Sequence, residues 1–164
     1  MFGSWPRNAV WNWTRGVCLV AAIASSAAQA DESREQAIKK DRELIKGTWR
    51  VVAVEENGEK TEIPKEGEVT KVVNDAEGGW EMFEGGRSIA KGTSTLDPSK
   101  TPKSIDIVVT EGDAKGAKFS GIYELGDNAR RLCFDPFGKT RPSAFAATKG
   151  CGFLTFFFER VKEK

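Results

Sequence analysis

From residue 48 onward, apolar and polar residues alternate in short runs, and turn residues interrupt them at a spacing of roughly ten, which is the pattern of antiparallel strands. Eight runs stand out: Thr48–Glu55, Glu68–Asn74, Trp80–Phe83, Arg87–Leu96, Ser104–Thr110, Lys118–Leu125, Arg130–Asp135 and Phe153–Val161. Asn57-Gly58, Gly78-Gly79, Gly85-Gly86, Asp97-Pro98, the 112–116 stretch and Gly126-Asp127-Asn128 separate them. Only 60–67 and 136–152 are longer loops, and short connections favour an up-and-down meander over a Greek key. Upstream, "DESREQAIKKDRELIK" (31–46) places Ala37, Ile38, Leu44 and Ile45 on one side of a helix. Asp31 or Ser33 can cap its start and Gly47 ends it, so the segment reads as a short amphipathic helix covering one end or flank of the core.

An eight-stranded meander removes both exposed edges by pairing its last strand with its first. The start of strand one then lies beside the end of strand eight, and Trp49 is expected to neighbour Arg160. A guanidinium over an indole contributes about 0.5–2 kcal/mol and would seal that end. Period two then places Leu154, Phe156 and Phe158 on the inward side of the last strand, and Trp49, Val51 and Ala53 on that of the first. Trp80, Phe119, Tyr123 and Phe134 complete the expected interior. Such a barrel is either filled by its side chains or holds one small ligand, and both readings stand at this point. Phe153 and Phe157 are expected to face outward, beneath the helix or the 136–152 loop.

Residues 1–30 have the order of a secretory signal peptide: Arg7 and Arg15, the apolar run "GVCLVAAIA", and the small-residue tail "SSAAQA" with cleavage after Ala30. The apolar run is too short for a bilayer anchor, so no stable membrane anchor is expected after cleavage. Trp5, Trp11 and Trp13 keep open the rival reading of a retained membrane-surface segment. "TRGVC" lacks the Leu that a lipoprotein signal places three residues before its Cys. Removing Arg7 and Arg15 leaves 23 basic against 24 acidic residues, a net charge of −1, with no basic stripe for nucleic acid. Cys133 and Cys151 remain in the exported chain, as a disulfide candidate or as two thiols.

The chain has no His, which excludes Ser-His-Asp and Cys-His catalysis and His-ligated zinc or haem. It also lacks a Walker-type or dinucleotide-binding glycine motif, and no cofactor or metal is implied. The carboxylate pairs Asp106 with Glu111 and Glu66 with Glu68 offer acid–base or calcium chemistry on paper. Asp106 alternates with Ile105 and Ile107, and the solvated face of a strand explains it more simply.

"GTW" after a short helix, with "FFFER" on the last strand, resembles the lipocalins and the wider calycin group, whose Gly-x-Trp and late Arg pack across the closed end of an eight-stranded barrel. "LIKGTWRVVAVEENGEK", "GTSTLDPSKTPKSIDIVVTEGDAKGAKFSGIYELGD", "RLCFDPFGKTRPSAF" and "KGCGF" are similar to a small exported lipocalin-like domain family of unknown function, common in planctomycetes. The similarity covers nearly all of residues 42 to 161. It implies a barrel closed by Gly47, Trp49 and Arg160, and it brings no catalytic residues. "KGCGF" departs from the pattern, with Cys151 where a small residue such as Ser is expected, which weakens a bridge as a family feature.

The expectation is therefore an exported, all-β, eight-stranded antiparallel up-and-down lipocalin-like barrel over 47–164, preceded by a signal peptide (1–30) and an amphipathic helix (31–46). Its expected role is non-catalytic binding of a small apolar or amphipathic molecule by Val51, Ala53, Trp80, Phe119, Tyr123, Phe134, Phe156 and Phe158. The alternative is a structural or protein-interaction module of the cell envelope with a filled core, and an enzyme using carboxylates comes third.

Overall fold

The computed structural model describes residues 18–64, 70–145 and 149–162. Helix α1 runs without interruption from Cys18–Ile45, so Asp31 and Ser33 lie inside it and cap nothing. The Ala- and Ser-rich stretch before Asp31 contains neither Gly nor Pro, and nothing in it stops helix propagation. Two compact units divide at Ser33, and residues 34–45 of α1 belong to the unit that holds the strands. The expected cleavage point after Ala30 falls within the helix, and residues 1–17 lie outside the described residues. No helix among the described residues is long and apolar enough to cross a membrane.

Nine strands follow: β1 (Gly47–Glu56), β2 (Glu59–Glu62), β3 (Lys71–Asn74), β4 (Gly79–Glu84), β5 (Arg87–Asp97), β6 (Ser104–Gly112), β7 (Lys118–Leu125), β8 (Ala129–Phe134) and β9 (Leu154–Arg160). All pair antiparallel, and β9 returns to β1 to close an eight-stranded barrel. The extra strand, β2, occupies part of the expected 60–67 loop. Its four residues are all exposed, so "EKTE" carries no buried face to announce it.

β1 serves three partners. β9 runs along one edge, while on the other edge β3 pairs with residues 47–50 and β2 with residues 53–56. The changeover lies at Val51, whose N–H donates to Thr70 O (3.0 Å), and Val52, whose carbonyl accepts the N–H of Ile63 (2.8 Å). At the same place the β1–β9 register slips by one residue, so Val51 opposes Phe158 but Ala53 opposes Phe157 and Val54 opposes Phe156. This β-bulge exchanges the inward and outward faces of β1 from Ala53 onward.

Gly47 separates helix from barrel with a φ of +108°, a conformation that an L side chain rarely adopts. The junction it creates is the closed end. Trp49 has no accessible surface, and its Nε1 donates to Ile45 O at 2.6 Å. Arg160 opposes it in the ladder, with the guanidinium carbon 4.2 Å from the indole centroid. The same guanidinium donates to Lys46 O (2.8 Å), to Leu44 O and to Asp127 O (2.9 Å). The carbonyls that end a helix have no partners within it, and Arg160 supplies them.

The last turns of α1 are held by buried polar groups as well as by Ile45. Asp41 takes both Lys103 Nζ (2.8 Å) and the Tyr123 hydroxyl (2.7 Å), while Arg42 donates to Ser94 Oγ (2.8 Å) and to the Ser94 carbonyl. An acid near a helix C-terminus opposes the macrodipole, and Lys103 offsets it. Beyond β8, Asp135 turns the chain by accepting the N–H groups of Phe137 (2.8 Å), Lys139 (3.1 Å) and Thr140 (3.0 Å).

Arg160→Ala removes three hydrogen bonds and the cation–π contact, and is expected to cost about 2–4 kcal/mol in urea unfolding and to shift the emission of Trp49. A loss under about 0.5 kcal/mol would place the closure elsewhere. The Phe137 N–H, then those of Thr140 and Lys139, hold the Asp135 carboxyl below the usual carboxylate range. That stabilisation is complete above the unfolded value of about 3.9 and is lost as pH falls through the lower folded value. Asp135→Asn should therefore give a shallower loss of stability with pH below about 4, which acid titration followed by circular dichroism measures.

Candidate functional site

The barrel is not filled. A cavity of about 340 Å³ runs along its interior from Ile45 and Arg130 near the closed end to Ala114 in the β6–β7 turn. The residues expected to face inward meet here: Val51, Trp80, Phe119, Tyr123, Phe134, Phe156 and Phe158 all line it. Ala53 does not. The bulge at Val52 turns it to the outer face opposite Phe157, whose ring lies 4.8 Å from Lys60 Nζ, and Val54 takes the inward place beside Trp49, Val51, Val72 and Phe158.

Four rings make one wall of the cavity. Phe119 and Phe134 lie 5.4 Å apart, Phe134 stacks on Phe156 at 5.5 Å, and Phe156 lies 6.3 Å from Phe158. These contacts follow from register, because Gly121 opposite Phe134 and Ile107 opposite Phe119 place the rings on neighbouring strands of one face. Across the interior Trp80 lies against Gly92, where a Cβ would run into both the Val108 carbonyl oxygen and the indole, so no other residue fits without a backbone shift.

The wall ends at Arg130, whose guanidinium carbon is 4.5 Å from the Phe158 centroid and 4.7 Å from that of Trp49. Burial, and secondarily the charge of Arg160, push its pKa down to about 9, so it is still cationic at neutral pH. Sequence reasoning missed Arg130 as an interior residue. The signal was present, since an inward Phe134 carries Leu132 and Arg130 inward with it at period two.

Cys133 therefore faces outward, opposite Thr155, and is nevertheless fully buried. The loop after β8 is bound to this outer surface. Arg141 donates to Ile105 O (2.9 Å), Gly121 O (2.6 Å) and Asp106 Oδ1 (2.6 Å), and Phe145 covers Arg131 at 4.1 Å. The candidate bridge is not formed: Cys133 and Cys151 are both free thiols, and Cys151 Sγ instead accepts the N–H of Phe153. Asp106 and Glu111 are taken by separate cations, Arg141 and Lys91 (3.3 Å), and form no carboxylate dyad. Glu66 and Glu68 lie outside the described residues.

A second recess, of about 540 Å³, lies outside the barrel among Arg34, Asp97, Lys100 and Arg141. It is more polar than the interior, and its charged groups are bound to one another in part, as in Arg34 with Asp97 at 3.4 Å. The interior cavity is the better candidate because its walls are predominantly apolar with a few polar groups. The fold and cavity thus define a closed antiparallel β-barrel with an apolar interior. Comparisons with protein-family models, with curated proteins and with solved structures find no significant match.

Burial pushes the Cys133 thiol above its ordinary value, whereas Cys151 is partly accessible. Brief alkylation of the native protein followed by peptide mapping should find Cys151 modified well ahead of Cys133. Equal rates would mean that the loop does not cover β8.

Proposed function

We propose that this protein is an exported, lipocalin-like carrier that holds one small apolar or amphipathic molecule inside its barrel and performs no chemistry on it. The observation that carries the reading is the cavity of about 340 Å³ walled by aromatic and aliphatic side chains. Its volume falls within the range of about 300–1,000 Å³ in which small-molecule sites occur. The contacts of Trp49, Arg160 and the end of α1 across one end of the barrel support retention. The order of residues 1–30 supports export, and the Gly47, Trp49 and Arg160 closure supports the lipocalin-like assignment.

A structural or interaction module of the cell envelope is the second reading. It draws on Phe137, which is 77% exposed in the loop after β8. One exposed ring is not a contiguous apolar patch, so the cavity carries more weight.

Native mass spectrometry of protein purified from its source should show a retained small molecule that is released on unfolding. Ile107→Trp places an indole in the cavity, and should lower affinity for an apolar probe such as 1-octanol by at least about tenfold while the far-ultraviolet spectrum is unchanged. Absence of any adduct together with no probe binding would end the carrier reading.

A further inference from the structure

Arg130 does not have the surroundings of a structural arginine. Its Nε is shut off from water and has no hydrogen-bond partner. No ion pair of its side chain occurs among the described residues, and the only charge acting on it there is the like charge of Arg160. The two rings beside it offset part of the loss of hydration, but a ring face accepts no hydrogen bond in the plane of the guanidinium. The residue as a whole is half-buried, yet a guanidinium whose Nε is cut off from water and which has no counter-ion is a costly arrangement. The other cations near this end are engaged: Arg160 by three carbonyls, Arg42 by Ser94 and Lys103 by Asp41.

Trp80 gives a second, independent observation. It lines the same cavity, and its buried Nε1 also lacks an acceptor. An indole N–H and a guanidinium can only donate. Among the described residues, the unmet hydrogen-bonding demand of the cavity is thus for acceptors, and the charge left unpaired there, that of Arg130, is positive.

We infer that the carrier's ligand is a singly charged oxyanion amphiphile, a carboxylate on an apolar chain, whose head accepts from Arg130 at the closed end while its chain lies along the Phe158, Phe156, Phe134 and Phe119 wall. This rests on the carrier reading and names the ligand class for the same cavity. A single guanidinium matches one negative charge and binds a carboxylate through two parallel donors. The volume sets the length. At about 30 Å³ for each water-sized group, the cavity holds on the order of ten non-hydrogen atoms, the size of octanoate.

Calorimetry on the full chain with octanoate, 1-octanol and octylammonium, which share one tail, tests the inference. Octanoate should bind at least about tenfold more tightly than 1-octanol, and octylammonium more weakly than both. Arg130→Met should bring octanoate to the affinity of 1-octanol or below while 1-octanol binding persists, and Arg130→Lys should restore part of the preference. Equal binding of octanoate and 1-octanol by the natural chain would overturn the inference and leave the carrier reading standing. Absence of binding by all three would overturn both. If Arg130→Met does not fold, the ranking of the three probes on the natural chain decides alone.

Discussion

A single guanidinium holds the ends of this domain together. Arg160 lies on the last strand, stacks on Trp49 of the first, and donates to carbonyls at the end of α1 and in the β7–β8 turn. Four chain segments converge on one planar group with donors in a fixed fork, which the point charge of a lysine does not reproduce. The helix end draws on it, because Arg160 donates to the Leu44 and Lys46 carbonyls, which close no further helical turn. Barrel closure depends on it too, since the β1–β9 seam begins at that pair.

Closure sets the terms for everything inside. Once β9 meets β1, each strand has an inner and an outer face, and a one-residue slip exchanges them. β1 makes such a slip where it changes partner from β3 to β2, and the consequence is local: Ala53 leaves the interior and Val54 enters it. The bulge lets one strand satisfy two short partners on one edge without breaking the continuous ladder with β9 on the other.

The polar groups of the domain differ in how they are neutralised. At the end of α1 the buried charges come with partners, Asp41 with Lys103 and Tyr123, and Arg42 with Ser94, so helix and barrel are joined without stranded charge. Arg130 is the contrast, with rings for neighbours and the cavity in front of it. A fold selected only for stability would place an apolar residue there. In the proposed carrier the same position anchors an anionic ligand, which would supply the counter-charge that the chain itself does not.

The sequence by itself determined the barrel and its seam. Apolar alternation, glycine-rich turns and short connections specified antiparallel neighbours, and Trp49 with Arg160 at the two ends of the strand order specified how the barrel closes, because strand period and chain order are local or one-dimensional properties. Of the residues expected to meet a ligand, Val51, Trp80, Phe119, Tyr123, Phe134, Phe156 and Phe158 line the cavity and Ala53 does not. Tertiary structure decided the rest. β2 forms because β1 offers a free edge there, and no buried face announces it. The helix buries Asp41 and Arg42 because their partners, 62 and 52 residues away in the chain, are brought opposite them. The interior stays open, and Arg130 unpaired within it, because a cavity is the volume left between side chains from different strands. That remainder depends on the three-dimensional packing of the strands and is written in no single segment.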